Sequence, residues 1–393
     1  MDRVRNPYTP NAGATPPSLA GRAELIADFG DVLARLEQGR TDKGIVVTGL
    51  RGVGKTVLLN AFEEVAEARG AVVIKHEAMS GGGGFASKFP ALARKALLSI
   101  SPADRWKARG RHAAGVLRGF KAQFDPAGRW TIAYDGSKIE GVADSGDFVS
   151  DLPELVVAIG EAAAEHDRTV VFLIDEIQFL SAEELSALVM AKHQINQRTL
   201  PIVFGGAGLP QMPALTGEAQ TYAERMFSWP EIGKLPPADA REALVAPARA
   251  EDVEYHPDAV DHIVSYTEGY PFFLQEYGKA AWNLADSSPI TLTVAQEAQE
   301  LVEAVLDQDF FSVRTGPLPS LELAYVRALA SLGSGEHPPA AIAAAMGRRS
   351  STQIGTYAAR LTGRGVIYRS KRGLVAFSVP QFERYVTRAL TGL

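Results

Sequence analysis

The 393-residue chain contains no cysteine, which excludes disulfides, thiolate metal sites and cysteine nucleophiles and suits a reducing cytoplasm, the expected location. No apolar run approaches the roughly 20 residues that a spanning helix needs. The best runs are broken by Asp175-Glu176 and by Gly205-Gly206, so no membrane contact is expected. Met1 to Pro17 is proline-rich and polar without the apolar stretch of a signal peptide, and reads as a flexible arm. The seven histidines are scattered and form no H-E-x-x-H or comparable pair. His76, ending a strand, fits a packed or surface residue better than a metal ligand. There is no G-x-S-x-G elbow and no internal repeat.

What is present starts at residues 49–56, Gly49-Leu50-Arg51-Gly52-Val53-Gly54-Lys55-Thr56, a complete G-x-x-x-x-G-K-T phosphate-binding loop. Before it stands Gly44-Ile45-Val46-Val47-Thr48, β-branched and apolar as a buried parallel strand should be. After it, Val57, Leu58, Leu59, Ala61, Phe62, Val65 and Ala66 recur at helical spacing. A strand-to-helix turn is the setting such a loop needs. Its glycines let backbone N–H groups curl around the β-phosphate, and the helix N-terminus adds partial positive charge. Lys55 would reach the β- and γ-phosphates and the Thr56 hydroxyl would ligate Mg²⁺, with Gly49 and Arg51 to Val57 around the nucleotide.

A second motif, Val170-Val171-Phe172-Leu173-Ile174-Asp175-Glu176, puts two carboxylates at the end of a central strand, where open α/β sheets bind ligands. Asp175 would hold Mg²⁺, directly or through water, and Glu176 would activate the attacking water. The two motifs together imply a nucleoside triphosphate with Mg²⁺.

The length calls for two or three domains. Ser18–Arg40 reads as a helix, and strands are expected at Gly44–Thr48, Ala71–His76, Thr169–Asp175, Leu200–Gly205 and Glu231–Leu235. Their alternation with helices predicts a five-stranded parallel α/β sheet, helices on both faces, over residues 18–235. Residues 80–151 open on Gly81-Gly82-Gly83-Gly84 and read as an irregular, basic insertion around a helix or two. Residues 236–315 are purely helical and suit a lid, with Gly316-Pro317-Leu318-Pro319 as a linker.

From 316 to 393 the order is helix, helix, helix, hairpin, final helix, that of a winged helix-turn-helix. Net charge is −6, yet Gly347 to Gly373 carries seven basic residues and no Asp or Glu. Arg348, Arg349, Ser350, Ser351, Thr352 and Gln353 would open the recognition helix, and Arg369, Lys371 and Arg372 would tip the wing, facing double-stranded DNA. The competing reading is a winged helix for protein contacts with solvated arginines. For the second basic stretch, Arg105 to Arg129, a solvated face is the better reading.

The two motifs, Asp175-Glu176-Ile177-Gln178, Gly208-Leu209-Pro210, Tyr222-Ala223-Glu224-Arg225-Met226-Phe227 and Gly269-Tyr270-Pro271 together resemble the AAA+/STAND-type ATP-binding proteins, relatives of archaeal origin-recognition initiators. The resemblance implies ATP as ligand, a helical lid and a C-terminal DNA-binding module. Leu19-Ala20-Gly21-Arg22 matches the segment near the adenine, giving Gly21 and Arg22 as nucleotide contacts. Arg225 falls near the arginine directed at a γ-phosphate in a neighbouring subunit, which implies self-association through the ATPase domain; a helix-end salt bridge is equally compatible. Pro271 matches a lid proline that touches nucleotide, though a proline in a helix's first turn is also ordinary. Two departures stand out: Phe204-Gly205-Gly206-Ala207 offers no polar sensor after the fourth strand, and the lid lacks a sensor arginine. Both imply slow hydrolysis, with nucleotide state acting as a conformational switch. Both nucleotide motifs on one chain with a basic C-terminal module then read as a nucleotide-dependent DNA-binding switch. The alternative is a STAND-type regulatory or defence ATPase that assembles with a partner effector protein.

Overall fold

The computed structural model describes all residues except 12, 15, 17–18, 80–83, 125–137, 220–222, 371–372 and 391–393. The chain divides into two compact units: Glu24–Thr48 with Leu58–Glu231, and Met1–Ala23 with Gly49–Val57 and Ile232–Leu393.

The first unit is built on a parallel sheet. In chain order it contains α1 (Ala23–Glu37), β1 (Gly44–Thr48), α2 (Lys55–Ala68, whose first turn belongs to the second unit), β2 (Val72–Glu77), α3 (Gly84–Ile100) and α4 (Ala108–Phe124). There follow α5 (Phe148–Glu165), β3 (Val170–Asp175), α6 (Ala182–Gln197), β4 (Ile202–Gly208), α7 (Met212–Ala219), α8 (Ala223–Met226) and β5 (Phe227–Ser228). The five strands lie in the order β2-β3-β4-β1-β5. Every residue of β1, β3 and β4 is buried, as continuous apolar runs in a sheet covered on both faces should be. On one face Phe172 stacks between Phe89 of α3 and Phe204, with ring centroids 5.9 and 5.3 Å away. On the other, Phe29 of α1 stacks on Phe62 of α2 at 4.3 Å. α5 starts at an Asp147 cap and α6 at a Ser181–Glu184 capping box, each satisfying backbone N–H groups that a helix start leaves orphaned.

Two expectations need correcting. The fifth strand is Phe227–Ser228, and within Glu231–Leu235 only Glu231 forms a bridge, to Thr48. Pro230 has no N–H to donate, which breaks the pairing there. The insertion is also more regular than its composition suggests. α3 and α4 are 17-residue helices whose Phe85, Phe89, Val116, Leu117 and Phe120 belong to the main core. The Gly81–Gly83 run lies outside the described residues.

Lys192 of α6 is fully buried, its Nζ donating to the Asp42 carbonyl at 2.7 Å. Burial pulls its pKa down from 10.5 to about 8, a shift only partly opposed by Asp42. A folded pKa below the unfolded one means that the charge costs stability below pH 8, and that the cost fades as pH rises from about 8 towards 10.5. Lys192→Met should therefore stabilise the protein at pH 7 by about 1–2 kcal/mol after losing one hydrogen bond. Its advantage should shrink by pH 10, as urea denaturation at both pH values would measure; a variant less stable at pH 7 contradicts this.

The second unit holds α9 (Pro237–Arg249), α10 (Pro257–Thr267), α11 (Pro271–Leu284), α12 (Leu292–Val305) running on through a π-helical turn to Phe311, and α13 (Ser312–Thr315). After these come α14 (Ser320–Ser331), α15 (Pro339–Ala345), α16 (Gly355–Gly363), β6 (Ile367–Arg369), β7 (Val375–Phe377) and α17 (Phe382–Ala389). β6 and β7 form an antiparallel hairpin, and His337 bridges to Val375 beside it. Phe273, Tyr277, Trp282, Tyr325 and Phe382 anchor the core. The N-terminal arm is not loose at its start. Tyr8 is buried against Gly278 and donates to the Leu244 carbonyl, while Trp282 Nε1 donates to the Asp2 carbonyl at 2.9 Å.

Candidate nucleotide site

The phosphate-binding loop takes its shape from its glycines. A Cβ at Gly49 would sit 2.3 Å from the Ile232 carbonyl oxygen, so no other residue fits. Gly52 and Gly54 have φ of +81° and +90°, a region that costs other residues energy, and Gly54 opens onto free space. α2 begins at Lys55, so its first N–H groups point back into the loop. Lys55 is only 6% exposed, and its ammonium donates to the carbonyls of Gly49 at 3.0 Å and Leu50 at 2.8 Å. This left-handed glycine frame, helix start and sheltered ammonium fit a bound polyphosphate.

Arg22 is mostly buried, and its guanidinium donates to the carbonyls of Gly233 at 2.9 Å, Gly21 at 3.2 Å and Val53 at 3.4 Å. Burial lowers its pKa, against an opposing pull from Asp239. It braces the loop from behind through Val53. In the second unit, Pro271 opens α11, and the next residue, Phe272, donates its N–H to the Gly52 carbonyl at 3.1 Å. The loop is also held from the C-terminal segment: the Arg51 N–H donates to the Ser378 carbonyl at 2.9 Å, and the Arg51 guanidinium packs against Gly365. Neither Phe272 nor Ser378 was singled out from sequence, because both act through backbone groups.

In the first unit, β3 ends on Asp175, 5% exposed, whose Oδ1 accepts from the Glu176 N–H at 2.8 Å. Glu176 adopts φ 50° and ψ 39°, a left-handed conformation uncommon for a side-chain-bearing residue and a frequent mark of functional positions. Gln178 folds back over it. Its Nε2 donates to the Glu176 carboxylate, and its Oε1 accepts from the Leu209 N–H at 3.1 Å. β4 separates β3 from β1 in the sheet, and all three run parallel, so the C-terminal ends of β1 and β3 lie at the same sheet edge.

Residues 18–204 match the AAA ATPase domain family, and residues 308–386 match a domain of unknown function, DUF8462. The chain is similar in fold to the ORC2 protein of Aeropyrum pernix in its ADPNP–ADP complexes, at TM-score 0.56 and 15% identity over 96% of this chain and 95% of that one. It is also similar to a Walker-type ATPase of Pyrococcus abyssi, at TM-score 0.56 and 12% identity over 94% and 96% of the two chains. The ADP form of the Aeropyrum ORC2 protein gives TM-score 0.53 and 14% identity over 98% and 96%. No curated protein matches the chain by sequence.

Downstream of the AAA domain match, Arg225 stands exposed on the short helix α8. Within the basic stretch, Arg109 pairs with Glu161 at 2.7 Å and Lys107 Nζ donates to the Glu165 carbonyl at 3.0 Å. In the C-terminal segment Arg348, Arg349, Ser351, Thr352, Gln353 and Arg369 are exposed. The expected helix start needs correcting: Ser351–Ile354 is a 3-10 turn and α16 begins at Gly355, so Arg348 and Arg349 sit in the turn before it. Ser350 caps that turn through the Thr352 N–H, and Gln353 Oε1 accepts from the Arg349 N–H at 3.1 Å. Lys371, Arg372, Arg129 and Tyr222 lie outside the described residues. Among the described residues no helix is long and apolar enough to cross a membrane.

Proposed function

We propose that this chain is a slowly hydrolysing ATPase that works as a nucleotide-dependent DNA-binding switch. The observation that carries it is the grip on the phosphate-binding loop from two sides. Arg51 is bonded to Ser378 of the C-terminal segment and Gly52 to Phe272 of the helical segment. Gly52 to Thr56 are the residues that would hold phosphates, so a change of loop shape with nucleotide state pulls directly on both neighbours. The nucleotide domain to residue 235, the lid to 315 and the winged helix to 393 are the working parts of this reading.

ATP would be held by Gly52, Val53, Gly54, Lys55, Thr56 and Val57, with Gly21, Arg22 and Arg51 supporting the loop and Pro271 closing from the lid. Mg²⁺, ligated by the Thr56 hydroxyl and Asp175, would neutralise phosphate charge as the terminal bond breaks. Glu176 would accept the proton of the attacking water. Arg225 would reach the nucleotide of a neighbouring copy. The end of β4, Phe204 to Gly208, offers only backbone polar groups, which supports slow turnover.

The exposed Arg348, Arg349 and Arg369, with Lys371 and Arg372, would face duplex DNA. Wild type should bind duplex DNA with a steep salt dependence. Changing Arg348, Arg349, Lys371 and Arg372 to Ala should flatten the log–log salt slope by about 3–4, since each phosphate contact contributes about 0.9. Wild-type binding that ignores salt, or no binding, removes the DNA reading.

A second reading is favoured by how much of the C-terminal segment is spent within the chain: Ser378 on Arg51, and Arg360 and Arg364 beside the buried Glu322 at 3.7 Å each. In that reading the protein is a STAND-type regulatory ATPase, and release of the segment drives assembly with an effector protein. ATP-dependent assembly without DNA affinity selects it.

A further inference from the structure

The end of β4 carries no polar side chain to sense the reaction centre, since residues Phe204 to Gly208 offer only Phe, Gly and Ala there. The structure assigns that task to Gln178. Resting on the reading of Glu176 as the general base, we propose that Gln178 is the positioning residue for its carboxylate, tying it to the last backbone N–H of the β4 exit.

The geometry leaves one orientation of the amide. The Leu209 N–H can only donate, so the side-chain atom 3.1 Å from it must be the Gln178 oxygen. The NH₂ group is thereby turned onto the Glu176 carboxylate, which can only accept when ionised. A serine or aspartate at this position would be too short to span both partners, and a lysine would have no acceptor for Leu209. The space for the amide is also made on the β4 side. A Cβ at Gly208 would lie 3.1 Å from Gln178 Oε1, 2.8 Å from Ile177 Cγ2 and 2.7 Å from Met212 Cγ. Because Glu176 sits in a left-handed turn, its side chain leaves the strand direction abruptly, and a bond to the next 3-10 turn keeps it from swinging away. Movement of the β4 exit is then transmitted to the carboxylate through one side chain.

Two near-isosteric variants separate orientation from packing. Gln178→Glu keeps an acceptor for Leu209 but replaces the donor on Glu176 by a second carboxylate. Gln178→Met keeps the volume and loses both bonds. Both should lower kcat about 30-fold while KM and the Kd for ATP stay within about 2-fold, the signature of an interaction used only in the transition state. A merely structural glutamine would move the melting temperature and KM instead. Glu176→Gln is assayed alongside, singly and combined with Gln178→Met. The double variant should be no slower than Glu176→Gln alone, because the glutamine acts through that glutamate. If both Gln178 variants turn over at the wild-type rate while Glu176→Gln is inactive, the positioning role is wrong and the base survives. If Glu176→Gln keeps turning over, or wild type never does, both are wrong.

Discussion

Glu176→Gln should lower the rate of ATP hydrolysis by about 10³-fold while leaving ATP affinity within about 2-fold, because a general base contributes roughly 10² to 10⁴ and no binding energy. The substitution is nearly isosteric, so the left-handed turn at φ 50° carries the same steric load in both proteins. The new amide can still offer its oxygen to the Gln178 NH₂ group, which preserves the local contact. What it loses is the ability to take a proton from water. Asp175, one residue earlier, keeps its bond to the residue-176 N–H and its place at the end of β3. Equilibrium binding of a fluorescent ATP analogue and single-turnover hydrolysis would separate the two effects. Hydrolysis at the wild-type rate would remove Glu176 from the chemistry; lost binding with lost turnover would mean that the carboxylate holds the ligand instead.

Much of the sheet was legible because its central strands are unbroken apolar runs with sharp ends. β1 and β3 lie where Gly44–Thr48 and Thr169–Asp175 were expected, to within a residue. The fifth strand was not, since Glu231–Leu235 has strand-like composition but Pro230 and the short pairing of Phe227–Ser228 decide the register. The helices α3 and α4 were under-read for a different reason. Pro90 and the glycine run argue locally against a helix, yet burial of Phe85 and Phe89 against the sheet, with Phe120 packed on Phe89 and Phe148, overrides them. The anchoring of the arm is not legible in sequence because Tyr8 is one aromatic in a polar proline-rich stretch; its socket beside Gly278 is built by distant residues.

The site divides in the same way. Lys55, Thr56, Asp175 and Glu176 can be proposed from sequence because the chemistry read for them needs those residue types at fixed spacing. The bonds of Arg51 to Ser378 and of Phe272 to Gly52 could not, because the partners are main-chain groups far apart in sequence. Gln178 lies between these cases. It stands two positions after Glu176, but its partner Leu209 comes from the end of another strand. Sequence fixes which side chain is available; only the β3–β4 pairing fixes what it reaches.

Lys55→Ala should weaken ATP binding by about 100-fold or more, which is about 2.7 kcal/mol and within the range of one to two charge-assisted hydrogen bonds. Two losses combine. The positive charge nearest the phosphates disappears from a sheltered position, where it is worth more than in water. The carbonyls of Gly49 and Leu50 also lose the ammonium that draws them together, so the loop no longer arrives in its binding shape. Lys55→Arg should not restore affinity, because a planar guanidinium cannot take the compact position between those two carbonyls. Thermal denaturation provides the measurement. At about 100 times its Kd, ATP should stabilise the wild type by about 2.7 kcal/mol, and the same concentration should give the variant less than about 0.5 kcal/mol. Without nucleotide the two proteins should melt within a few degrees of each other, since the lysine stem is buried in a loop and not in either core. An ATP-dependent shift of wild-type size in Lys55→Ala would mean that the triphosphate is held somewhere other than the Gly49–Thr56 loop.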